Sequence, residues 1–182
     1  MRLRRVEEQF GGAVRVEWRS FLLRPEPDPR TTLEQFRAYT RSWLRPAADP
    51  DGGTFRVWAT DAGPPSHSIP PHLAAKAAAR LGDDAFHRMH ERLLHAYFAQ
   101  NRDITSAGTL EAVWREAGLP PEACVRAADP SLLRATVAEH DDAGERGITG
   151  VPAVMLEGND AFILGAQPLE TYRRWLARAL GR

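Results

Sequence analysis

The chain contains the stretch GITGVPAVML at residues 147–156, in which a Gly-X-X-Gly turn runs through a Val-Pro bond into a short apolar strand. Because proline has no N–H for a sheet ladder, Pro152 must stand at the first position of that strand or on a bulge. A tight turn is the ordinary setting of a cis X-Pro peptide, so we expect a cis Val151-Pro152 bond that leaves the backbone of Val151 free to pair with another chain. The alternative is a loop in which Pro152 only starts the strand.

The residues on either side of this stretch predict a helix before it and a hairpin after it. The preceding helix is expected over residues 130–146, with Asp129 as its N-terminal cap and a proline at its first position. Residues 157–160 read Glu-Gly-Asn-Asp, which is turn chemistry, so a return strand is expected over 161–164. A helix that starts at Pro168 then closes the chain.

The N-terminal part predicts one helix and one strand. Apolar residues fall at helical spacing over 3–10, and a glycine pair at 11–12 predicts the end of that helix. Over residues 14–18, valine and tryptophan alternate with charged residues, which is typical of a half-buried strand. Three prolines between residues 25 and 29 end this strand, because proline cannot donate to a ladder.

The middle of the chain predicts further helices between the two strand-bearing ends. This arrangement indicates an inserted helical region, and not an alternating barrel or a doubly wound sheet. The helices are expected over 31–44 with Thr31 or Thr32 as cap, over 70–81 after Pro70-Pro71, from a cap at Asp83 or Asp84 to Phe98, and from a cap at Ser106 to Gly118.

The composition describes an ordinary globular chain of 182 residues with balanced charge. Apolar residues make up 43% and charged residues 26%, and 24 Lys and Arg offset 24 Asp and Glu. The balanced net charge therefore gives no overall electrostatic attraction to nucleic acid or to an anionic membrane. No run approaches the roughly eighteen apolar residues that span a bilayer, and no apolar signal core begins the chain. We expect a cytoplasmic protein with neither nucleic acid nor membrane as partner; the residues do not indicate an oligomeric state.

Few side chains qualify for catalysis or metal binding. Cys124 is the single cysteine, so the chain can form neither an internal disulfide nor a two-cysteine redox motif, and we expect a buried thiol there. His87 and His90 could share a helix face, but no third ligand stands at metal spacing, so we predict no metal site. Gly147 and Gly150 precede a strand instead of following one, which argues against a phosphate loop.

Five stretches of the chain form one recognisable pattern: residues 14–25, the alanine-rich 74–79, Leu94–Phe98 with Asp103-Ile104, Gly147–Val154 and Gly165–Pro168. Together they resemble the DsbA-like thioredoxin family, in particular its cytoplasmic FrnE-type branch. The resemblance covers almost the whole chain and keeps the order of its parts. Gly-Val-Pro is its most specific motif, whereas the helical region alone would be a weak signal.

The resemblance implies an α/β fold of thioredoxin type with an inserted all-helical domain. Residues 1–65 and 146–182 would form the two halves of the thioredoxin-like part, and residues 66–145 the helical insertion. No cofactor is implied beyond glutathione as a possible thiol partner.

The resemblance also implies a docking loop at Gly150, Val151 and Pro152. This loop would hold a thiol- or disulfide-containing peptide or protein, or glutathione. Members of the family carry a Cys-X-X-Cys motif at the N-terminus of the first helix, where the helix dipole and backbone donors stabilise the thiolate. That motif and the strand before it would lie upstream of Met1, so the first central strand is missing here and no catalytic residue is identified in this chain.

Three functions follow from the resemblance, and whether this chain is itself an enzyme stays open. The first is a thiol-disulfide oxidoreductase whose N-terminal strand and redox cysteines are truncated, so that the natural product is longer. The second is a protein like the kappa-class glutathione transferases and 2-hydroxychromene-2-carboxylate isomerases, in which a serine replaces the attacking cysteine. The third is a non-catalytic thioredoxin-fold binding module that keeps only the docking loop.

Overall fold

The structure is a computed structural model that describes residues 2–49 and 51–181. Within these residues, 3₁₀-helices cover Gly11–Ala13, Arg41–Trp43 and Pro121–Ala128, and a π-helix covers His95–Ala99. The other elements, in chain order, are α1 (Arg2–Phe10), α2 (Leu33–Thr40), α3 (Leu44–Ala47), α4 (Ile69–Ala79), α5 (Asp83–Leu94), α6 (Ala107–Glu116), α7 (Pro130–Glu145), β1 (Ala153–Met155), β2 (Phe162–Leu164) and α8 (Leu169–Ala179).

The described chain forms two compact units. The first unit comprises the described residues up to Phe21 together with those from Glu139 onward, and the second runs from Leu22 to Ala138. The second unit thus interrupts the first in sequence. The divisions expected from the sequence, at 65/66 and 145/146, stay predictions.

The core of the first unit lies between two helices and one face of a β-hairpin. α1 packs against α8, and their buried residues are Val6 from α1 and Tyr172 and Leu176 from α8. The hairpin pairs β1 with β2 antiparallel, with Val154 opposite Ile163, and both of these side chains pack on the same cluster. The predicted hairpin is therefore confirmed, and the two helices pack on its apolar core face.

The strand expected over residues 14–18 does not form. The pattern of side-chain exposure is the predicted one, since Val14, Val16 and Trp18 are half-buried while Arg15 and Glu17 are exposed. The described residues contain a two-stranded sheet made of β1 and β2, and residues 14–20 belong to no strand. A period-two pattern sets which side chains are buried, but a strand also needs a neighbour for its backbone groups.

The second unit contains an alanine-rich cluster of helices. Ala74, Ala77 and Ala78 in α4 are at most 2% exposed, and their spacing places them on one helix face. Because alanine side chains are small, α5 can approach this face closely, and Met89 is fully buried there. Trp114 from α6 closes the cluster and donates from its indole N–H to the carbonyl of Pro120 at 2.8 Å.

A second cluster in this unit is aromatic. Phe36, Trp43 and Trp58 are its buried members, and Tyr97 and Phe98 from the π-helix pack against them. The ring centroids of Phe36 and Trp58 lie 5.1 Å apart at an interplanar angle of 72°, which is the edge-to-face geometry that aromatic pairs prefer. Aromatic packing therefore fixes the π-helix against α2 and its neighbouring 3₁₀ turn.

Helix ends follow the sequence at some positions and depart from it at others. Thr32 and Gln35 form a reciprocal capping box at α2, and the carboxylate of Asp129 accepts the N–H of Ser131 at 2.8 Å. At α5, the residue before the helix is Gly82 with φ +113, so Asp83 is the first helical residue and not the cap. The prediction of an aspartate cap there was wrong. Gly82, with its positive φ, occupies the cap position itself, so the helix begins one residue earlier than a cap at Asp83 would place it.

The five tryptophans divide between the two units. Trp43, Trp58 and Trp114 are buried in the second unit, at 6% exposure or less. Trp18 and Trp175 belong to the first unit and are half-buried.

Candidate functional site

The end of α7 sets the position of the predicted docking loop in the first unit. The N–H of Gly147 donates to the carbonyl of Gly144 at 2.9 Å, and that of Ile148 to the carbonyl of Ala143 at 2.9 Å. Gly147 has φ +78, the left-handed conformation that this type of helix end requires and that glycine adopts without strain. The turn that follows α7 therefore ends at Gly147, and the loop starts at Ile148, three residues before Val151.

The loop presents Val151 to solvent. The Val151-Pro152 bond is cis, which confirms the prediction from the sequence. Val151 is 49% exposed, Pro152 is exposed and Gly150 is half-buried. Within residues 2–49 and 51–181, the backbone of Val151 makes no hydrogen bond, whereas the carbonyl of Pro152 accepts the N–H of Gly165 at 2.8 Å. The docking role of Gly150, Val151 and Pro152 remains a prediction.

The register of the hairpin defines which backbone groups of β1 are open. In an antiparallel pair, opposite residues alternate between those that exchange hydrogen bonds and those that do not. Pro152 and Gly165 form a bonded pair, so Val154 bonds across to β2, and the N–H and C=O groups of Ala153 and Met155 point away from β2. The described sheet has no further strand on that side. β1 therefore offers an open edge that continues from Val151.

The hairpin has a second face opposite the helical core. Ala153 and Met155 share this face with their partners Leu164 and Phe162, since side chains directly opposite each other in a strand pair point the same way. All four are apolar, and Leu164 is 45% exposed. The sequence patterns predicted the hairpin, but this face and the open edge follow only from its register.

The turn after β2 holds the loop in place from the other side. Gly165 has φ +81, and the phenol of Tyr172 in α8 donates to its carbonyl at 3.5 Å and accepts the N–H of Gln167 at 3.3 Å. The guanidinium of Arg2 in α1 donates to the carbonyl of Gln167 at 3.1 Å. Side chains of both core helices thus fix the turn that hydrogen-bonds to Pro152.

Cys124 lies in the second unit and is not an activated thiol. It is partly exposed, whereas the sequence led us to expect a buried thiol. Burial raises the pKa of its thiol above the ordinary value, and the charge of Glu111 acts in the same direction. A reactive cysteine needs the opposite shift, which cationic neighbours or a helix N-terminus supply.

No metal site is present among the described residues, where no group of three or more His, Cys, Asp or Glu side chains is placed to hold an ion. His90 stacks on Phe86 with centroids 5.5 Å apart.

No helix in the described part of the chain is long and apolar enough to cross a membrane.

Two open clefts occur in the second unit. One, of about 440 Å³, is lined by the proline-rich residues 24–30, and the other, of about 430 Å³, by polar residues that include Asn101, Arg102 and Asp103. Neither is lined by Val151 or Pro152. A loop that docks an extended chain by its backbone edge is flat, so cavity size does not locate it.

The family profile of the DSBA-like thioredoxin domain matches residues 1–177. The chain belongs to this family. Its fold is accordingly a thioredoxin-like α/β fold, rich in helix, with a helical insertion and a small two-stranded sheet. The resemblance to the DsbA-like thioredoxin family found from the sequence is confirmed. A search of curated proteins finds no significant match.

Solved structures similar to this DsbA-like chain agree on the fold. A protein assigned as a protein disulfide isomerase, from Nitrosomonas europaea, superposes with a TM-score of 0.81 at 14% identity, covering 99% of this chain and 88% of that one. The cytosolic disulfide reductase DsbM from Pseudomonas aeruginosa gives a TM-score of 0.66 at 19% identity over 86% of this chain and 82% of that one. The same reductase solved with GSH gives 0.63 at 18% identity over 100% and 91%.

Proposed function

We propose that this DsbA-like chain is the substrate-docking and helical part of a thiol-disulfide oxidoreductase. The observation that carries the proposal is the loop before β1, where Val151 is 49% exposed and its backbone makes no hydrogen bond within residues 2–49 and 51–181. An extended peptide can pair with the backbone of Val151 through main-chain hydrogen bonds, and the apolar hairpin face beside it can receive alternate side chains. The family accounts for the chemistry, and this loop provides the place for the substrate.

The attacking thiolate must come from outside residues 1–182. Cys124 is the single cysteine in the sequence, and its raised pKa keeps its thiol protonated at neutral pH. We propose that a strand and a Cys-X-X-Cys motif precede residue 1 on the same polypeptide, with the motif at the N-terminal end of α1. Two features of the first unit support this: the backbone groups of Ala153 and Met155 point away from β2, and residues 14–20 have the alternating burial of a strand but belong to no strand.

In the proposed reaction, a thiolate of the motif attacks one sulfur of a substrate disulfide. A mixed disulfide forms, the substrate S–S bond breaks, and the second substrate sulfur leaves as a thiolate that takes up a proton. The other cysteine of the motif then attacks the mixed disulfide and releases the remaining substrate thiol. The substrate is reduced by two electrons and the motif is oxidised to a disulfide; the reverse sequence oxidises a dithiol. In this proposal, the loop at Gly150, Val151 and Pro152 holds the substrate segment.

Two measurements test the proposal. The in-frame codons upstream of residue 1 should encode an apolar strand followed by Cys-X-X-Cys, and a stop codon close upstream without such a segment would contradict it. The 182-residue chain alone should not reduce insulin, whereas a chain extended through the upstream segment should. Insulin reduction by the 182-residue Cys124→Ser variant would refute the assignment of the thiolate to an upstream motif.

Glutathione is a second candidate partner for the same loop. The observation that favours it is that a protein of similar fold, DsbM, was solved with GSH. Titration of the chain with glutathione and, separately, with an extended disulfide-containing peptide distinguishes the candidates. Binding of glutathione alone would favour a glutathione-dependent enzyme, and binding of peptide without any redox activity in the extended chain would favour a docking module.

We also propose a cytoplasmic location, supported by the cytosolic location named for DsbM. The helical insertion is proposed to span residues 66–145, with the thioredoxin-like halves at 1–65 and 146–182. Limited proteolysis followed by mass spectrometry tests these boundaries, because exposed linkers between compact parts are cut first.

A further inference from the structure

Residues 33–47 of the second unit form one continuous helical segment, made of α2, a 3₁₀ turn and α3. Its three arginines differ in their surroundings. Arg37 forms an ion pair with Asp61 at 2.9 Å. Arg41 and Arg45 are exposed, and neither takes part in an ion pair within the part of the chain that the structure describes. Like charges four residues apart on a helix repel each other, so the fold leaves these two charges unbalanced.

The same side of the segment carries an exposed aromatic ring. Tyr39 is 60% exposed, whereas Phe36 and Trp43 are buried in the aromatic cluster. The centroid of the Tyr39 ring lies 6.1 Å from that of Phe36 and 6.4 Å from that of Trp43, so core rings fix its position. A tyrosine held in this way contacts a partner with little loss of conformational freedom. Tyrosine and arginine are also the residue types most enriched at the centres of protein interfaces.

Small side chains form a groove beside the tyrosine. Ala38 and Ser42 are exposed and lie four positions apart, which places them in one row along the helix surface. By helical spacing, Tyr39 borders this row on one side and Arg41 on the other, and Arg45 lies one turn further along. A groove that follows such a row accepts the side-chain ridge of another helix.

We infer that this groove binds an acidic helix of a partner protein. Two carboxylates four residues apart on the partner helix pair with Arg41 and Arg45, and an apolar side chain beside them packs against Tyr39. Charge complementarity selects an anionic partner, because carboxylates remove the repulsion between the two arginines. The direction of the groove selects a helix and not an extended chain. The inference is independent of the docking loop, which belongs to the first unit.

The probe is a synthetic alanine-rich helical peptide of about 18 residues. It carries two glutamates four residues apart in its N-terminal half and one leucine on the same face. The control peptide has glutamine in place of both glutamates. Binding to the 182-residue chain is followed through the amide chemical shifts of Ala38 and Ser42. The glutamate peptide should bind about tenfold more tightly than the glutamine peptide, and added salt should weaken its binding. Equal Kd values for the two peptides, or no binding of either, would overturn the inference.

Variants of the chain test the groove itself. Arg41→Glu/Arg45→Glu should weaken binding of the glutamate peptide about tenfold or more. The matched control, Arg92→Glu/Arg115→Glu, makes the same change of charge at exposed arginines in the last turns of α5 and α6, and should change Kd by less than about twofold. Equal losses in the two double variants would contradict binding at this groove. Ser42→Trp fills the groove without a change of charge and should abolish binding, so a wild-type Kd in that variant would also contradict it.

Two other occupants of the groove have distinct signatures. Sedimentation equilibrium of the chain alone tests for a second copy, and self-association that Ser42→Trp abolishes would replace the acidic partner by a homodimer. Flotation with phosphatidylserine vesicles tests for a membrane surface. Vesicle binding that Arg41→Glu/Arg45→Glu abolishes, without binding of the glutamate peptide, would replace the acidic partner by an anionic lipid surface.

Discussion

Substitution of Val151 tests the proposed docking loop at Gly150, Val151 and Pro152 most directly. Burial of a whole valine side chain stabilises a contact by about 1.5–3 kcal/mol. Val151 is 49% exposed, so a docked peptide can remove from water about half of its surface. After allowance for the Cβ that alanine keeps, Val151→Ala should weaken peptide binding by about 0.5–1 kcal/mol, which is about two- to fivefold in Kd. Val151→Asp brings an unpaired charge into the contact and should weaken binding about tenfold or more.

The assay is fluorescence anisotropy of a labelled ten-residue extended peptide whose central cysteine is capped by a disulfide. Val125 is the matched control, because it is 76% exposed and lies in the second unit, on the 3₁₀-helix Pro121–Ala128. Val125→Ala and Val125→Asp should leave Kd unchanged within about 1.5-fold, because substitutions at an exposed position outside the docking loop have little effect on the fold. Equal losses from the two aspartate variants, or a Val151→Asp protein that binds like wild type, would refute docking at Val151.

Three further predictions concern the second unit. Thr40→Val should lower the free energy of unfolding by about 1–3 kcal/mol in urea titrations, because it removes the fully buried hydroxyl that accepts the N–H of Trp58 at 3.0 Å. Thr40→Ser keeps a hydroxyl and should recover most of the lost free energy of unfolding. Alkylation of Cys124 by iodoacetamide should reach half of its maximal rate at a higher pH than a model thiol does, because burial raises the pKa of its thiol; a lower midpoint would contradict this. The carboxyl of Asp129 has a lowered pKa because Arg80 donates to it. The stability that the ionised carboxylate gives the folded protein is therefore complete at pH values above its unfolded-state pKa. This contribution is lost as the pH falls through the folded-state pKa. The advantage of wild type over Asp129→Asn in unfolding free energy should therefore shrink below about pH 4.

Local signals in the sequence predicted the elements that local chemistry determines. The glycine pair after Phe10 ends α1, and Pro168 stands immediately before α8. Asp129 was expected to cap α7, and its carboxylate accepts an N–H of the first turn. In each case the deciding residue lies within a few positions of the element it starts or stops, so propensity and capping are sufficient.

The features that could not be predicted from the sequence depend on contacts between residues that are distant in sequence. Residues 14–18 have the side-chain pattern of a strand, yet the N–H of Val16 donates to the carboxylate of Glu7, and the N–H of Ser20 just beyond donates to that of Glu139, 119 positions away. No periodicity reports such a pairing. The open edge of β1 likewise depends on register, which follows from the bond between Gly165 and Pro152 and not from the strand sequence.

The distribution of tryptophan gives the two units different optical signatures. Trp43, Trp58 and Trp114 lie in apolar surroundings in the second unit, so intrinsic emission should be dominated by that unit and should shift to the red when it unfolds. The first unit contributes Trp18 and Trp175, which already meet water in part. An unfolding curve followed by fluorescence will therefore chiefly monitor the helical unit, and unfolding of the hairpin that follows Val151 must be measured with a probe placed in the first unit.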